Sequence, residues 1–566
     1  VIADAGAVPA GAHLQADLCI VGAGAAGIAI ARELAGRDVR VALLESGGLS
    51  FEPATQALYR GRSVGLPYFP LDAARLRYFG GTTGHWAGTC RPFEAFDFEP
   101  RPGVPDTGWP IGLGDVEPYY GRAAEVVGLT PGPWGLAPWA ARDRVKPLDL
   151  GERLVTRVAR FAGDDARHFG SRYRAELERA ANVSVHLHAN VTELETGPDG
   201  GAVVRAHVAT LGGRRFTVGA RVFVLACGAL ENARVLLLSD RHRRGGLGNQ
   251  HDAVGRWFHE HPRFVGAELV PAHPELETRF YEPHRTGDQT IEAYLALADR
   301  VQREERLLDV QLKLRPVYRG AYAGIEDAAD VRSARALGGS RKDASTAGFA
   351  RDVANVMGDL TGWHRFTVPG APLPVPYPEV ASRLASGSAL QRRDLIPGLL
   401  GDIAGYTYAK LLGTAPVDHV EVTTRLGQAP NRDSRVTLGR ERDALGLRRI
   451  DLDWRMTRLD RESIVRTLEL VGAAVGAAGL GRLRLLVDRD GPWPASLTGG
   501  WHMMGTTRMS DDPRRGVVDR DCRVHGVGNL FVAGSSVFPT PGAGTPTLTL
   551  VALALRLSDR LRRELA

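Results

Sequence analysis

The stretch GGWHMMGTTRMS, residues 499–510, sets one imidazole, His502, between an indole and two thioethers. Imidazole is the side chain that titrates near neutral pH, so it can take a proton from a hydroxyl and return it. Residue types alone make a packed core histidine the default reading here. A second chemistry-bearing stretch lies near the N-terminus. Gly22, Gly24 and Gly27 in VGAGAAG form a G-x-G-x-x-G turn, and Glu45 closes the following apolar run. Such glycines let backbone approach a pyrophosphate at a helix N-terminus, while the carboxylate takes a ribose hydroxyl pair that carries no 2′-phosphate. FAD and NAD both satisfy that pattern.

Other groups of polar residues carry less. His259 and His261 in HEHP are spaced i, i+2, without the H-x-x-x-H of a helical metal site, and are expected to be structural. Asp511 and Asp512 in SDDPRRG read as a solvated turn, not an acid/base dyad. No metal site is expected. Cys19, Cys90, Cys227 and Cys522 are far apart and form neither a disulfide framework nor a CxxC pattern.

The elements that must position these residues follow from periodicity. ADLCIVGAGAAGIAIARELAGRDVRVALLESGG reads as buried strand, glycine turn, amphipathic helix and second strand. RYFGGTTGHWAGTCRPF, residues 77–93, is too glycine-rich for a helix. RVFVLACGALENARVLLLS, residues 221–239, repeats the strand, turn and helix of a doubly wound sheet. Residues 266–495 change to alternating stretches such as HVEVTTRLG and RRIDLDW. The last part, NLFVAGSSVFPTPGAGTPTLTLVALALRL, returns to strand, glycine loop and helix. The expected architecture is α/β: a Rossmann-like dinucleotide domain, 1–265 and 496–566, with an inserted α+β domain, 266–495, on an antiparallel sheet.

Length and composition agree. At 566 residues the chain exceeds one hydrophobic core. Its 71 basic against 65 acidic residues leave +6, too thin a charge for nucleic-acid binding. No apolar run reaches a membrane span, and no charged-then-apolar leader pattern stands at the N-terminus, so a cytoplasmic location is expected.

Taken together, LLESGG, GGTTGHW, TGWPIGLGDVEPYYGRA, LACGALENARVLLLS, VGRWFHEHP, QAPNRDSRVTLGRERDALGL, HMMGTTRM and GVVDRDCRVHGVGNLFVAGSSVFPT resemble the glucose–methanol–choline (GMC) oxidoreductases. They are most similar to the pyranose oxidase, glycoside oxidase and sugar dehydrogenase branch. The resemblance spans nearly the whole chain. It implies FAD held by Gly22, Gly24, Gly27 and Glu45, by the loop Gly81, Thr82, His85, Trp86 and Ala87, and by Gly534 and Ser535. It leaves FAD bound non-covalently or attached through His85.

The resemblance also gives His502, three residues before Gly505, the role of base while hydride passes to flavin N5. The partner histidine or asparagine of the family falls at Thr545, which can hydrogen-bond a hydroxyl but cannot be a base. The implied reaction is oxidation of a ring hydroxyl of a sugar or glycoside, the reduced flavin then passing its electrons to oxygen or another electron acceptor. Three alternatives stand beside it: a biosynthetic dehydrogenase of an aminocyclitol or other secondary metabolite, the flavoprotein subunit of an electron-transfer complex, and a flavin-binding protein without turnover.

Overall fold

A computed structural model of the chain describes residues 1–273, 276–318, 417–542 and 544–566. Alternating helices and strands at the N-terminus build the first sheet. Its parallel part runs Ile2–Asp4, Val183–Leu187, Val41–Leu44, His13–Val21 and Arg215–Leu225, with Leu530–Val532 beside the last. An antiparallel hairpin, Asn190–Thr196 and Val203–Ala209, extends it. The strand His13–Val21 is flanked by Val41–Leu44 on one side and Arg215–Leu225 on the other. Strand order reverses there, and open α/β sheets bind ligands at such a crevice.

Two helices cover this sheet because their apolar residues outnumber one stripe. Helix Ala25–Leu34 buries Ile28, Ala29, Ile30 and Leu34, and the C-terminal helix Thr547–Leu565 buries Val551, Leu553, Leu555 and Leu561. Both belong to one hydrophobic core. No described helix is long and apolar enough to cross a membrane. The four cysteines carry no disulfide.

The second sheet is antiparallel. Its order is Gly481–Leu485, Arg263–Pro271, Val417–Leu426, Val310–Tyr318, Gln289–Leu297, Leu154–Phe161 and Thr89–Cys90. Alternation splits it into two faces. Phe264, Val422, Leu312, Leu314, Leu295 and Val158 pack beneath helix Arg458–Ala477. Arg263, Arg425 and Gln311 stand in one cross-strand row, in the opposite register to Phe264 and Leu312.

Strand pairing crosses the expected domain limits. Leu154–Phe161 and Thr89–Cys90 belong to the second sheet although they precede residue 266. Conversely, the hairpin Arg435–Arg442 and Arg448–Asp453 pairs with Arg62–Ser63. It is tied to the nucleotide domain by Arg234, which donates to Asp443 at 2.6 Å and to the Arg448 carbonyl at 2.9 Å. Strand partners are chosen by non-local packing, which a sequential split into segments does not register.

Candidate active site

The fingerprint folds as its glycines require. Gly22 has φ +102°, and a Cβ there would stand 2.7 Å from the Ala226 carbonyl oxygen. Gly27 closes the helix onto the loop, with a would-be Cβ 1.9 Å from the Gly22 oxygen. Gly24 begins helix Ala25–Leu34 with no side-chain cap, and nothing lies within 4 Å of where its Cβ would be. Uncapped amide groups facing open space fit an anionic pyrophosphate. Glu45, 5% exposed, accepts hydrogen bonds from the Ala23 and Gly47 amides, each at 2.9 Å, so its carboxylate lies beside the glycine loop.

The 80s loop packs on this crevice. The Gly80 amide donates to the Ala23 carbonyl at 2.8 Å, and Gly81 approaches Gly24 so closely that its Cβ would lie 3.2 Å from the Gly24 Cα. Thr82 Oγ1 accepts the Leu76 amide at 3.4 Å, and Trp86 Nε1 donates to the Arg167 carbonyl at 2.8 Å. Ala87 is exposed. Burial pulls the His85 imidazole down to about 4, so at neutral pH it is uncharged. Across the crevice, Gly534 has φ +110°, and a Cβ there would make only an ordinary contact, 3.9 Å from Leu550 Cδ1. Ser535 Oγ donates to the Met503 carbonyl at 2.8 Å, and the Ser535 carbonyl accepts the Gly505 amide at 3.2 Å. That links the nucleotide domain to the residues around His502. The donor groups and the glycine-lined space therefore fit a dinucleotide cofactor.

His502 sits at the junction of the two sheets. Residues 259–263 run antiparallel to 498–504, through His259 opposite Met504 and Arg263 opposite Thr498. Glu260 fastens this pairing. Its Oε2 accepts the amides of His261 at 2.9 Å, Gly500 at 3.0 Å and His502 at 3.0 Å, while the Tyr68 hydroxyl donates to Oε1. The preceding residue, Trp501, is held at φ +58°, a left-handed conformation that costs a bulky residue energy unless its surroundings impose it.

The structure brings together residues that spacing keeps apart. His261, fully buried, has Nε2 2.8 Å from the Gly542 carbonyl oxygen and Nδ1 2.8 Å from His502 Nδ1. The two rings are nearly perpendicular, at 89°. His261 is thus the ring neighbour of His502, a contact that the i, i+2 spacing of HEHP does not reveal. His259, fully buried, has Nδ1 2.9 Å from the Trp257 carbonyl oxygen, and its Nε2 has no hydrogen-bond partner among the described residues. Burial drives the His502 imidazole well below its ordinary value, helped by His261, Arg425, Arg263 and Lys313. His502 Nε2 makes no hydrogen bond among the described residues.

Thr545 is placed differently from the expected partner. Its hydroxyl donates to the Thr89 carbonyl at 2.8 Å, and no hydrogen bond joins it to His502 among the described residues. In this arrangement its oxygen offers a substrate lone pairs but no proton. Asp511 and Asp512 lie in an exposed turn, Asp511 paired with Arg520. No metal-binding cluster occurs among the described residues.

Residues that pattern reading misses line the polar face of the second sheet. Lys313 pairs with buried Glu292, and burial lowers its ammonium to about 8. Among the described residues, Tyr294 Oη and Gln311 Oε1 are buried without a hydrogen-bond partner. Buried polar atoms are nearly always satisfied, so unsatisfied ones on one sheet mark a face built for polar contacts. Alternation in the sequence identifies the strands but not which polar face matters.

The chain is similar to known proteins in sequence and fold. Residues 17–245 match the family description FAD dependent oxidoreductase, and residues 430–554 match GMC oxidoreductase. The chain is 22% identical to a 2-methyl-1,2-propanediol dehydrogenase of Mycolicibacterium austroafricanum over 97% of this chain and 96% of that protein. It is 23% identical to a 6'''-hydroxyparomomycin C oxidase of Streptomyces lividus, over 97% and 92%. It is 38% identical to a C-glycoside 3-oxidase of Arthrobacter globiformis over 22% and 23%. The fold superposes on pyridoxine 4-oxidase from Mesorbium loti with a TM-score of 0.50, at 18% identity and covering 97% and 99%.

Fold, crevice and family descriptions together define an FAD-dependent oxidoreductase. The match to the GMC oxidoreductase family itself is carried by the C-terminal part, residues 430–554.

Proposed function

We propose that this protein oxidises a ring hydroxyl of a sugar or glycoside, a secondary alcohol, to a ketone, with His502 as the base. The observation that carries the reading is the state of His502: one ring nitrogen is engaged by His261, and Nε2 remains open to a proton. FAD, when bound by the Gly22–Gly27 crevice, supplies the two-electron oxidant that takes the hydride. The protein's own residues do the rest. His502 Nε2 accepts the hydroxyl proton, so the carbinol carbon can release hydride as the C=O bond forms. The low basicity of the half-buried ring keeps it unprotonated and ready at neutral pH. Polar groups of the second sheet, among them Lys313, Gln311 and Tyr294, supply the many hydrogen bonds a polyhydroxylated substrate requires. Likeness to a glycoside 3-oxidase supports the substrate class.

A second reading, oxidation of an aminocyclitol-containing metabolite, is favoured by the nearly full-length likeness to the hydroxyparomomycin oxidase. Anaerobic flavin bleaching tests both. Monosaccharides, O- and C-glycosides, aminoglycosides and small diols are mixed with oxidised protein, and products are identified by NMR. Bleaching by glycosides with a ring-ketone product is expected. Bleaching only by aminoglycosides selects the second reading; none by any member rejects both. Oxygen and quinone acceptors are then compared on the substrate found.

A further inference from the structure

We propose that His261 is a positioning residue that locks His502 into the neutral tautomer whose Nε2 is bare. This rests on the reading of His502 as the base. The Gly542 carbonyl can only accept, so the His261 nitrogen 2.8 Å from it, Nε2, carries a hydrogen. A neutral imidazole has one N–H, so His261 Nδ1 is an acceptor. His502 Nδ1, 2.8 Å away, must then be the donor, which leaves His502 Nε2 as the free lone pair.

The reverse arrangement would require a His261 cation. Its ring is fully buried, and burial with Arg425 nearby lowers it to about 3, against the weaker opposing pull of the Gly542 and Pro541 carbonyls and of Asp309. When His502 takes the substrate proton, its Nδ1–H becomes a charge-assisted donor to His261, and that bond strengthens in step with the chemistry.

The surroundings fix the two rings. A Cβ on Gly500 would stand 2.9 Å from the His261 carbonyl oxygen and 3.3 Å from its Cβ, so glycine is what lets the strands close. Gly542 has φ +59°, and a Cβ there would meet Asp97 Oδ1 at 2.8 Å, so the aim of its carbonyl depends on that glycine. The charged groups that act on this pair are Arg425, Arg263, Lys313 and Asp309. The loop after Thr540 therefore reaches His502 through the Gly542 carbonyl and His261.

The test uses FAD-loaded protein labelled with [15N]histidine, the His502 resonances being assigned with His502→Gln. At neutral pH, ring 15N shifts are expected to show Nδ1 protonated and Nε2 bare. Protonation at Nε2 in the wild type overturns the proposal, and this readout needs no turnover. Kinetics supply the second arm. His261→Asn keeps an oxygen acceptor near the Nδ1 position and should reduce flavin within about fivefold of wild type. His261→Leu should be slower by about 10- to 100-fold, with flavin content and substrate affinity retained and Nε2–H now prominent in the spectrum. Equal losses in both variants would reduce His261 to packing. Should His502→Ala reduce flavin normally, the base reading falls while the tautomer assignment is judged by the spectrum alone.

Discussion

Thr545 donates its hydroxyl proton to the backbone carbonyl of Thr89, which joins the loop after Thr540 to the short strand Thr89–Cys90 of the second sheet. With its one proton so placed, Thr545 cannot also donate to an alkoxide forming in the site. The loop's stronger connection to His502 runs through His261.

Thr545→Val is therefore expected to lower flavin reduction by only a factor of ~2 to 13, the worth of one neutral hydrogen bond of about 0.5–1.5 kcal/mol. Rapid-mixing reduction under anaerobic conditions measures it. His502→Ala should cost on the order of 10²–10⁴ with FAD retained. If Thr545→Val abolishes reduction while His502→Ala does not, the two roles are wrongly assigned.

The pH profile follows from the same site. A base must be unprotonated, and burial, His261 and the neighbouring cations push His502 below its ordinary value. The acid limb of substrate-dependent flavin reduction should consequently lie below the pH of about 6.5 typical of a free imidazole, with a plateau through neutrality. An acid limb above neutrality would mean either a different base or a His502 stabilised as the cation.

How much of this is readable from the chain depends on the range of each interaction. Gly22, Gly24, Gly27 and Glu45 are legible because turn, helix and strand follow in one local run, and the apolar helix after Thr547 declares itself by composition. The alternating stretches likewise announce an antiparallel sheet. His261 is opaque: its partner lies 241 residues away, and an i, i+2 spacing says only that two side chains share a strand face. Glu260 is equally silent, since its value lies in three amides and a phenol supplied from elsewhere. The strand Leu154–Phe161 is silent in the same way, since nothing local assigns it to the second sheet.

Purified protein should be yellow, with one FAD per chain, and flavin is expected to stay with the polypeptide after acid precipitation. The attachment reaction needs an uncharged ring nitrogen close to the cofactor. His85 is neutral at pH 7 because burial lowers it to about 4, and its loop packs directly on the fingerprint glycines. His85→Ala should then release flavin on precipitation while leaving the absorption of the native holoprotein. A yellow supernatant from the wild type would remove the covalent link and leave the FAD assignment in place. Protein that refuses FAD but binds NAD tightly would overturn that assignment as well.

Glu260 offers a test of what holds His502 in place. Its Oε2 accepts three backbone amides, including that of His502 itself, and Tyr68 donates to the other oxygen. Glu260→Ala leaves buried donors unsatisfied, at about 1–3 kcal/mol each, and should sharply lower both the melting temperature and flavin reduction. Glu260→Gln keeps an acceptor for the amides and a donor for the Tyr68 oxygen, so it should fold and retain FAD. Burial raises the Glu260 carboxyl above its ordinary value, and the hydrogen bonds only partly offset this. A folded pKa above the unfolded one means the native state holds more protons in the interval between them. The stability this contributes is complete below the unfolded pKa and is lost as pH rises through the folded pKa. The melting temperature of Glu260→Gln should thus improve relative to wild type as pH rises from about 4.5, the region where the free carboxyl ionises. Thermal melts of both proteins from that value upward, over an interval of about three to four pH units, give the comparison directly. A difference that stays flat across the range would show that Glu260 titrates in the folded protein as it does in the unfolded chain.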